Sequence, residues 1–313
     1  MTAATKAREE TDMHDDLRFI RTPDAPHVYC IVNGRRRFVP YAEWFRDEGL
    51  AGIPHIEIIE WAELARIPLG PPCPVTAALR ARSMAEVLRE PNLMRLYLAN
   101  LVRGEGIEFG AGRRPLPVPL AASVRYVDAF AYGSDESRSF PGVADFEDFV
   151  EVDLVGRIET MEPLGNGSVD FVLASHVIEH TPDPIGALVA SHRVLRDAGR
   201  LVLVVPDRDR TFDQPREVTP IAHMVLDHED YRRERDLAHY EEWHSLVMAG
   251  PGGAARTDWE IGADLHYHCF TPASFIALVA ASMQYARWSG AEFFLPPPDA
   301  PPASIEFYAV LRK

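Results

Sequence analysis

The chain has little cysteine, no long apolar run and a shortage of basic charge, and each lack removes a class of function. Its 313 residues include only three cysteines, Cys30, Cys73 and Cys269. They are widely spaced and odd in number, which argues against a disulfide framework and against a cysteine-based zinc site. No stretch of about 18 apolar residues occurs, and the first 26 residues are mostly polar and charged, so neither a membrane span nor a signal peptide is predicted. The expected location is the cytoplasm. Lys and Arg number 32 against 47 Asp and Glu, a formal charge of −15. Nucleic-acid affinity comes largely from cations that neutralise phosphates, so no nucleic-acid partner is expected. What remains is a chain that is 47% hydrophobic, long enough to bury a sizeable core as one large or two smaller domains.

The most informative stretch runs from Ser168 to Asp207, where SVDFVLASHVIEHTPDP precedes an amphipathic segment and then GRLVLVVPD. Val169 to Ala174 and Leu201 to Val205 are short continuous apolar runs, as expected of parallel strands covered on both faces. His176, Glu179 and His180 follow the first run directly. In open α/β sheets, ligands bind outside the carboxyl ends of the strands, which is where these polar residues fall.

Upstream, Glu105 to Asp128 reads EGIEFGAGRRPLPVPLAASVRYVD. A strand ends in Gly110-Ala111-Gly112, and a second, Val124 to Val127, ends in Asp128. The glycines let backbone approach a ligand, and an acid about 20 residues on is placed to accept ribose hydroxyls. The third glycine of a dinucleotide fingerprint is missing, and Pro115, Pro117 and Pro119 oppose the long helix whose N-terminus would hold a pyrophosphate. A nucleoside-type ligand without phosphate needs only the turn and the acid.

These residues resemble the class I S-adenosylmethionine-dependent methyltransferases. Ile107 to Gly112 looks like their first motif, Tyr126-Val127-Asp128 like their ribose-binding strand end, and SVDFVLASHVIEH with VLRDAGRLVLVVPD like their fourth and fifth strands. The likeness covers roughly Gly106 to Lys313, and extends to a bacterial subgroup with E-x-G-A-x-x-x-P-L-P followed by V-R-Y-V-D, often associated with glycan or secondary-metabolite genes. The resemblance implies an α/β fold, a doubly wound Rossmann-like methyltransferase sheet with a C-terminal antiparallel strand, and S-adenosyl-L-methionine as cofactor. The donor-binding residues it implies are Glu108, Gly110, Ala111, Gly112, Asp128, Ser175 and His176. Asp153 and Glu159 are the alternatives for an adenine contact.

Punctuation along the chain divides it further. Residues 1–26 are predicted to be a mobile tail. His27 to Pro40 gives two alternating segments joined by Asn33-Gly34, a strong hairpin signal. A short helix is predicted over Ala42 to Gly49, and Pro68 to Pro74 reads as a stiff linker. Residues 27–74 thus form a small N-terminal α+β module, with Arg35 to Arg37 read as a solvated hairpin tip. Residues 75–313 form the donor-binding domain, opening with helical patterns over Val75 to Arg89 and Asn92 to Arg103. The long excursion 208–264 is rich in His, Tyr and Trp and is read as the acceptor-binding element. Ala291 to Leu295 and Ile305 to Leu311 close the domain as two strands.

Methyl transfer from a sulfonium is an in-line displacement, for which alignment and exclusion of water contribute most. A hydroxyl acceptor also needs a base, and histidine suits neutral pH. His176, His180, His223 and His244 are the candidates, the last two from the excursion. The spacing of His176, Glu179 and His180 would suit one metal on a helix, but Pro182 and Pro184 put the helix start after the motif. His266 and His268 form an H-x-H expected on one face of a strand, with a structural role, so no metal is assigned. The predicted activity is O-methylation of a small molecule or glycan. A nicotinamide-dependent oxidoreductase and a non-catalytic assembly module are the alternatives.

Overall fold

The computed structural model describes residues 17–41, 44–47, 50, 55–80, 82–132, 134, 149–248 and 254–313. Most of the predicted mobile tail, half of the Ala42 to Gly49 helix and part of the excursion lie outside the described residues.

Among the described residues, seven strands form the main sheet: β5 (Gly104–Phe109), β6 (Ala122–Asp128), β7 (Leu154–Val155), β8 (Val169–Ser175), β9 (Leu195–Pro206), β10 (Gly290–Phe294) and β11 (Glu306–Arg312). Their spatial order is β10-β11-β9-β8-β5-β6-β7. Strands β5 to β9 pair in parallel, whereas β11 runs antiparallel to both β9 and β10. This is the doubly wound sheet with a C-terminal antiparallel strand. The apolar runs of β8 and β9 divide by alternation. Val172 and Ala174 join Leu201, Leu203 and Val205 in the core on one face, and Phe171 and Leu173 join Val202 and Val204 in the core on the other. Burying one such side chain is worth about 1.5–3 kcal/mol, so both faces must be covered by helices. Helix α1 (Pro91–Ala99) covers one face, with α2 (Pro184–Val194) and α6 (Pro272–Ser282) on the other. Between β9 and α6 the excursion forms α3 (Ile221–Glu229), α4 (Arg233–Trp243) and α5 (Ala254–Ile261). Val75 to Arg89 forms only single turns at Ala77–Arg80 and Met84–Val87 among its described residues.

The N-terminal module is a second sheet of β1 (Arg18–Arg21), β2 (Val28–Val32), β3 (Arg35–Phe38) and β4 (Ile56–Ile58), in the order β3-β2-β1-β4. Asn33 and Gly34 both have positive φ, 52° and 74°, the conformation that a two-residue hairpin turn demands. Two expectations change here. Strand β1 lies within the expected mobile tail, with Phe19 and Ile20 buried in two different clusters. The arginines are not a solvated tip. Arg37 is 2% exposed and donates to the carbonyls of Pro71, Pro72, Val118 and Pro119. Arg35 pairs with Asp153 and lies over the Tyr126 ring. The Pro68 to Pro74 segment packs along β3 through Arg36 N to Pro68 O and Cys73 N to Phe38 O, both 2.9 Å.

Candidate active site

The carboxyl ends of β5, β6 and β8 open onto one cavity of about 760 Å³. Gly110 and Gly112, just past β5, have φ of +61° and +50°, where a side chain would be strained. A Cβ on Gly110 would also stand 2.7 Å from Val177 Cγ2, so the bare backbone is required for this close approach. Asp128 ends β6 and accepts from Ala129 N at 2.7 Å and Tyr132 Oη at 2.5 Å. Burial pushes its carboxyl above the ordinary aspartate range. Such a partly desolvated carboxylate gains from further donors, and its two oxygens have lone pairs to spare.

The β8 end supplies the polar wall. Ser175 is followed by His176, with φ of +53°, and by a single 3-10 turn, Ile178–His180. Helix α2 begins only at Pro184, with Asp183 as N-cap accepting from Gly186 N at 2.7 Å, as the prolines predicted. His176 Nε2 donates to Glu306 at 2.7 Å, and Arg95 holds the same carboxylate with two nitrogens. Burial alone would raise the Glu306 pKa, but these bonds from His176 and Arg95 hold it at about 2. His180 Nδ1 donates to Asp264 at 2.8 Å. Burial opposes the imidazolium, yet the hydrogen bond and charge of Asp264, with the charge of Glu179, raise the His180 pKa to about 9. Glu179 is fully buried. It lies 3.7 Å from His176, 3.8 Å from His180 and 4.0 Å from His266.

Of the residues expected at the site, Gly110, Gly112, Asp128, Glu159, His176 and His180 line the cavity. Six do not. Glu108 lies behind the glycine turn, fully buried, accepting from Leu116 N at 2.9 Å; burial raises its pKa to about 8. Ala111 and Ser175 also fall outside the lining residues. Asp153 faces the other way, accepting from Tyr126 N and pairing with Arg35. His244 is spent on Asp258, 2.7 Å away, and His223 belongs to a separate histidine cluster. His266 and His268 are buried in irregular chain before α6 rather than on a strand.

Sequence reading did not single out Tyr231, Arg233, Asp236, Trp259 and Asp264 of the excursion, nor Tyr267 just beyond it, all of which line the cavity together with Tyr240. The only available signal was the aromatic and acidic richness of the segment, which carries no register. Tyr132 was also missed. Its hydroxyl links the Gly112 backbone N–H to Asp128, bridging the turn and the acid.

A family model described as a methyltransferase domain matches residues 80–250. The chain belongs to the methyltransferase-domain family. That family is one of methyl-transferring enzyme domains, for which the sequence resemblance implies S-adenosylmethionine as donor. The solved structures it resembles include a SAM-dependent methyltransferase of Thermotoga maritima, called a possible histamine N-methyltransferase. That match has 14% identity and a TM-score of 0.40, and covers 74% of this chain and 91% of the other. A Methanosarcina mazei SAM-dependent methyltransferase matches at 16% identity and TM-score 0.35, over 67% and 92% of the two chains. A curated relative, an uncharacterized 37.1 kDa protein in transposon TN4556 of Streptomyces fradiae, is 48% identical over 67 residues. That stretch is 21% of this chain and 19% of the relative, so the match spans about a fifth of the relative's length.

The residues present fit the donor. A bare glycine turn and a desolvated strand-end carboxylate face one cavity, beside the apolar surfaces of Phe109, Phe130 and Ile158. That combination suits a nucleoside without phosphates. Among the described residues no helix is long and apolar enough to cross a membrane.

Proposed function

We propose that this methyltransferase acts on a hydroxyl of a small molecule or glycan in the cytoplasm, with His180 as the general base. The carrying observation is the His180–Asp264 pair, which lines the same cavity as Gly110 and Asp128. The bound donor would supply an electrophilic methyl group and, in its sulfonium, a positive charge. Asp128 would hold the ribose, Gly110 and Gly112 would let the donor lie against backbone, and Glu159 would stand beside the adenine. Asp264 keeps the His180 proton on Nδ1, which leaves Nε2 to accept the proton of the attacking hydroxyl. Because Asp264 and Glu179 stabilise the imidazolium, His180 can hold that proton after transfer. A cation placed in the cavity lowers the imidazole pKa, which favours the neutral base when donor is bound. The tyrosines and Trp259 of the excursion supply stacking surfaces and hydroxyls of the kind that hold polar rings. Cys30, Cys73 and Cys269 are buried and none is in a disulfide, which fits a reducing compartment.

The test is incubation of the purified enzyme with labelled donor and panels of hydroxylated metabolites and glycans, then repetition with His180→Ala. Turnover should fall about 10²–10⁴-fold while S-adenosylhomocysteine affinity changes little. Wild-type turnover in that variant removes His180 as the base. Labelling of an amine or carbon atom removes the hydroxyl assignment.

A further inference from the structure

A second cluster of titratable side chains lies outside the methyl-transfer cavity. We propose that His223, His239 and His268 form a binding site for one divalent transition-metal ion, with the Asp227 carboxylate as fourth ligand. The three histidines come from α3, α4 and the segment leading into α6, and their ligand-capable atoms all lie within 4.8 Å of one another. The rings meet edge to face around a common point, with centroids 5.0, 5.3 and 6.0 Å apart.

Proton bookkeeping points the lone pairs inward. His268 Nε2 is 3.2 Å from the Pro182 carbonyl. A carbonyl only accepts, so Nε2 carries the proton and Nδ1 carries a lone pair. His268 is fully buried and that Nδ1 has no hydrogen-bond partner, an expense that a metal ligand would not incur. His239 hydrogen-bonds the Tyr267 backbone, and its Nε2 faces His223 Nε2 at 3.1 Å. Asp227 is buried, with Oδ2 3.0 Å from the same His223 nitrogen. Zinc–nitrogen bonds of about 2.0–2.1 Å put tetrahedral ligands roughly 3.3 Å apart, near the His223–His239 separation. An imidazole-rich set suits zinc, nickel or copper and disfavours magnesium or calcium.

Such an ion would staple α3, α4 and the α6 approach together. Tyr240 and Tyr267, next in sequence to His239 and His268, line the methyl-transfer cavity, so the site would stiffen a wall of the cavity without entering it. Glu179, His180 and His266 form another group with ligand spacing. There, however, His180 and His266 each already hydrogen-bond an aspartate through Nδ1.

The experiment uses the full chain, stripped with chelator, dialysed, and titrated with ZnCl₂ by calorimetry and with Co²⁺ by visible absorption. One ion should bind per chain, with a rise in Tm. His223→Ala and His239→Ala should each weaken zinc at least about 100-fold and abolish the Tm response, while His266→Ala retains both. His223 is only partly buried, its side chain 36% exposed, and S-adenosylhomocysteine binding reports that its variant is folded. Failure of wild-type protein to take up one equivalent of zinc overturns the proposal. So does unchanged affinity in the His223 and His239 variants, or zinc binding lost only in His266→Ala.

Discussion

Replacing Asp264 with Asn tests the electrostatics of the cavity without disturbing its shape. Two carboxylates, Asp264 at 2.8 Å and Glu179 at 3.8 Å, raise the His180 pKa to about 9 against the opposing effect of burial. At pH 7 a group with that pKa is about 99% protonated, and the neutral form rises about tenfold per pH unit until the pKa is reached. Removing the Asp264 charge leaves only Glu179 and a backbone hydrogen bond at Leu265 to oppose burial, so the variant ring should titrate below 9. Histidine ring signals followed by NMR from pH 5.5 to 10, with His180→Gln to assign the resonance, read this directly. The linkage has a definite sign. The folded-state pKa lies above the ordinary 6.5, so the pair stabilises the fold fully below about pH 6.5, and that contribution is lost as pH rises through about 9. Wild-type Tm should therefore decline over that window more steeply than that of Asp264→Asn. A His180 resonance that titrates near 6.5 in the wild type, or is unmoved by Asp264→Asn, refutes the reasoning and with it the assignment of His180 as a base oriented by Asp264.

Asp128→Ala removes charge-assisted hydrogen bonds worth about 1.5–3 kcal/mol, so calorimetry should find S-adenosylhomocysteine bound roughly 10- to 150-fold more weakly. Glu108→Gln keeps the acceptor for Leu116 N while removing a carboxyl whose folded pKa, about 8, lies above its ordinary 4.5. The native state then holds an extra proton between those values and loses stability as pH rises, so the variant should gain more in Tm at pH 8 than at pH 5. Arg37→Ala strips donors from four buried or part-buried carbonyls and should cost at least about 3 kcal/mol, measured by urea unfolding.

The sheet was legible because β8 and β9 are buried on both faces, which forces unbroken apolar runs, and because Gly110, Gly112 and Asp128 sit where strand ends meet a ligand. The N-terminal arginines were not legible, and the reason is chemical. Proline has no N–H to pair with a neighbouring strand, so the Pro68 to Pro74 and Pro115 to Pro119 segments leave carbonyls in need of donors, and Arg37 supplies them. A charge run usually marks a solvated face; here the demand for donors came from segments 34 to 82 residues away. Asp153 was misread for a related reason, since nothing in VEVD says that its carboxylate turns to Arg35. His223 and His244 were chosen from a segment with four histidines and no repeating spacing. Helix register alone decided that His244 meets Asp258 while Tyr240, one turn earlier, reaches the cavity.

The charges gathered around the cavity fit one chemistry better than its competitors. Asp128, Glu159, Asp183, Asp236 and Asp264 line it against Arg157, Arg233 and the two histidines. The Arg157 guanidinium is already paired with Glu159, and Glu306 draws on His176 from behind. What remains is a cavity biased toward negative charge in a chain whose formal charge is −15. A pyrophosphate would be repelled there, whereas a cation with a nucleoside attached is attracted. Transfer of a methyl group to a neutral hydroxyl converts the positive charge on sulfur into a proton that has to be held or released. His180, whose protonated form Asp264 and Glu179 stabilise, stands where that proton can be kept within the same field. In the proposed reaction Asp264, which lines the cavity, would both attract the cationic donor and stabilise the imidazolium left after methyl transfer, so donor binding and proton acceptance would share that carboxylate.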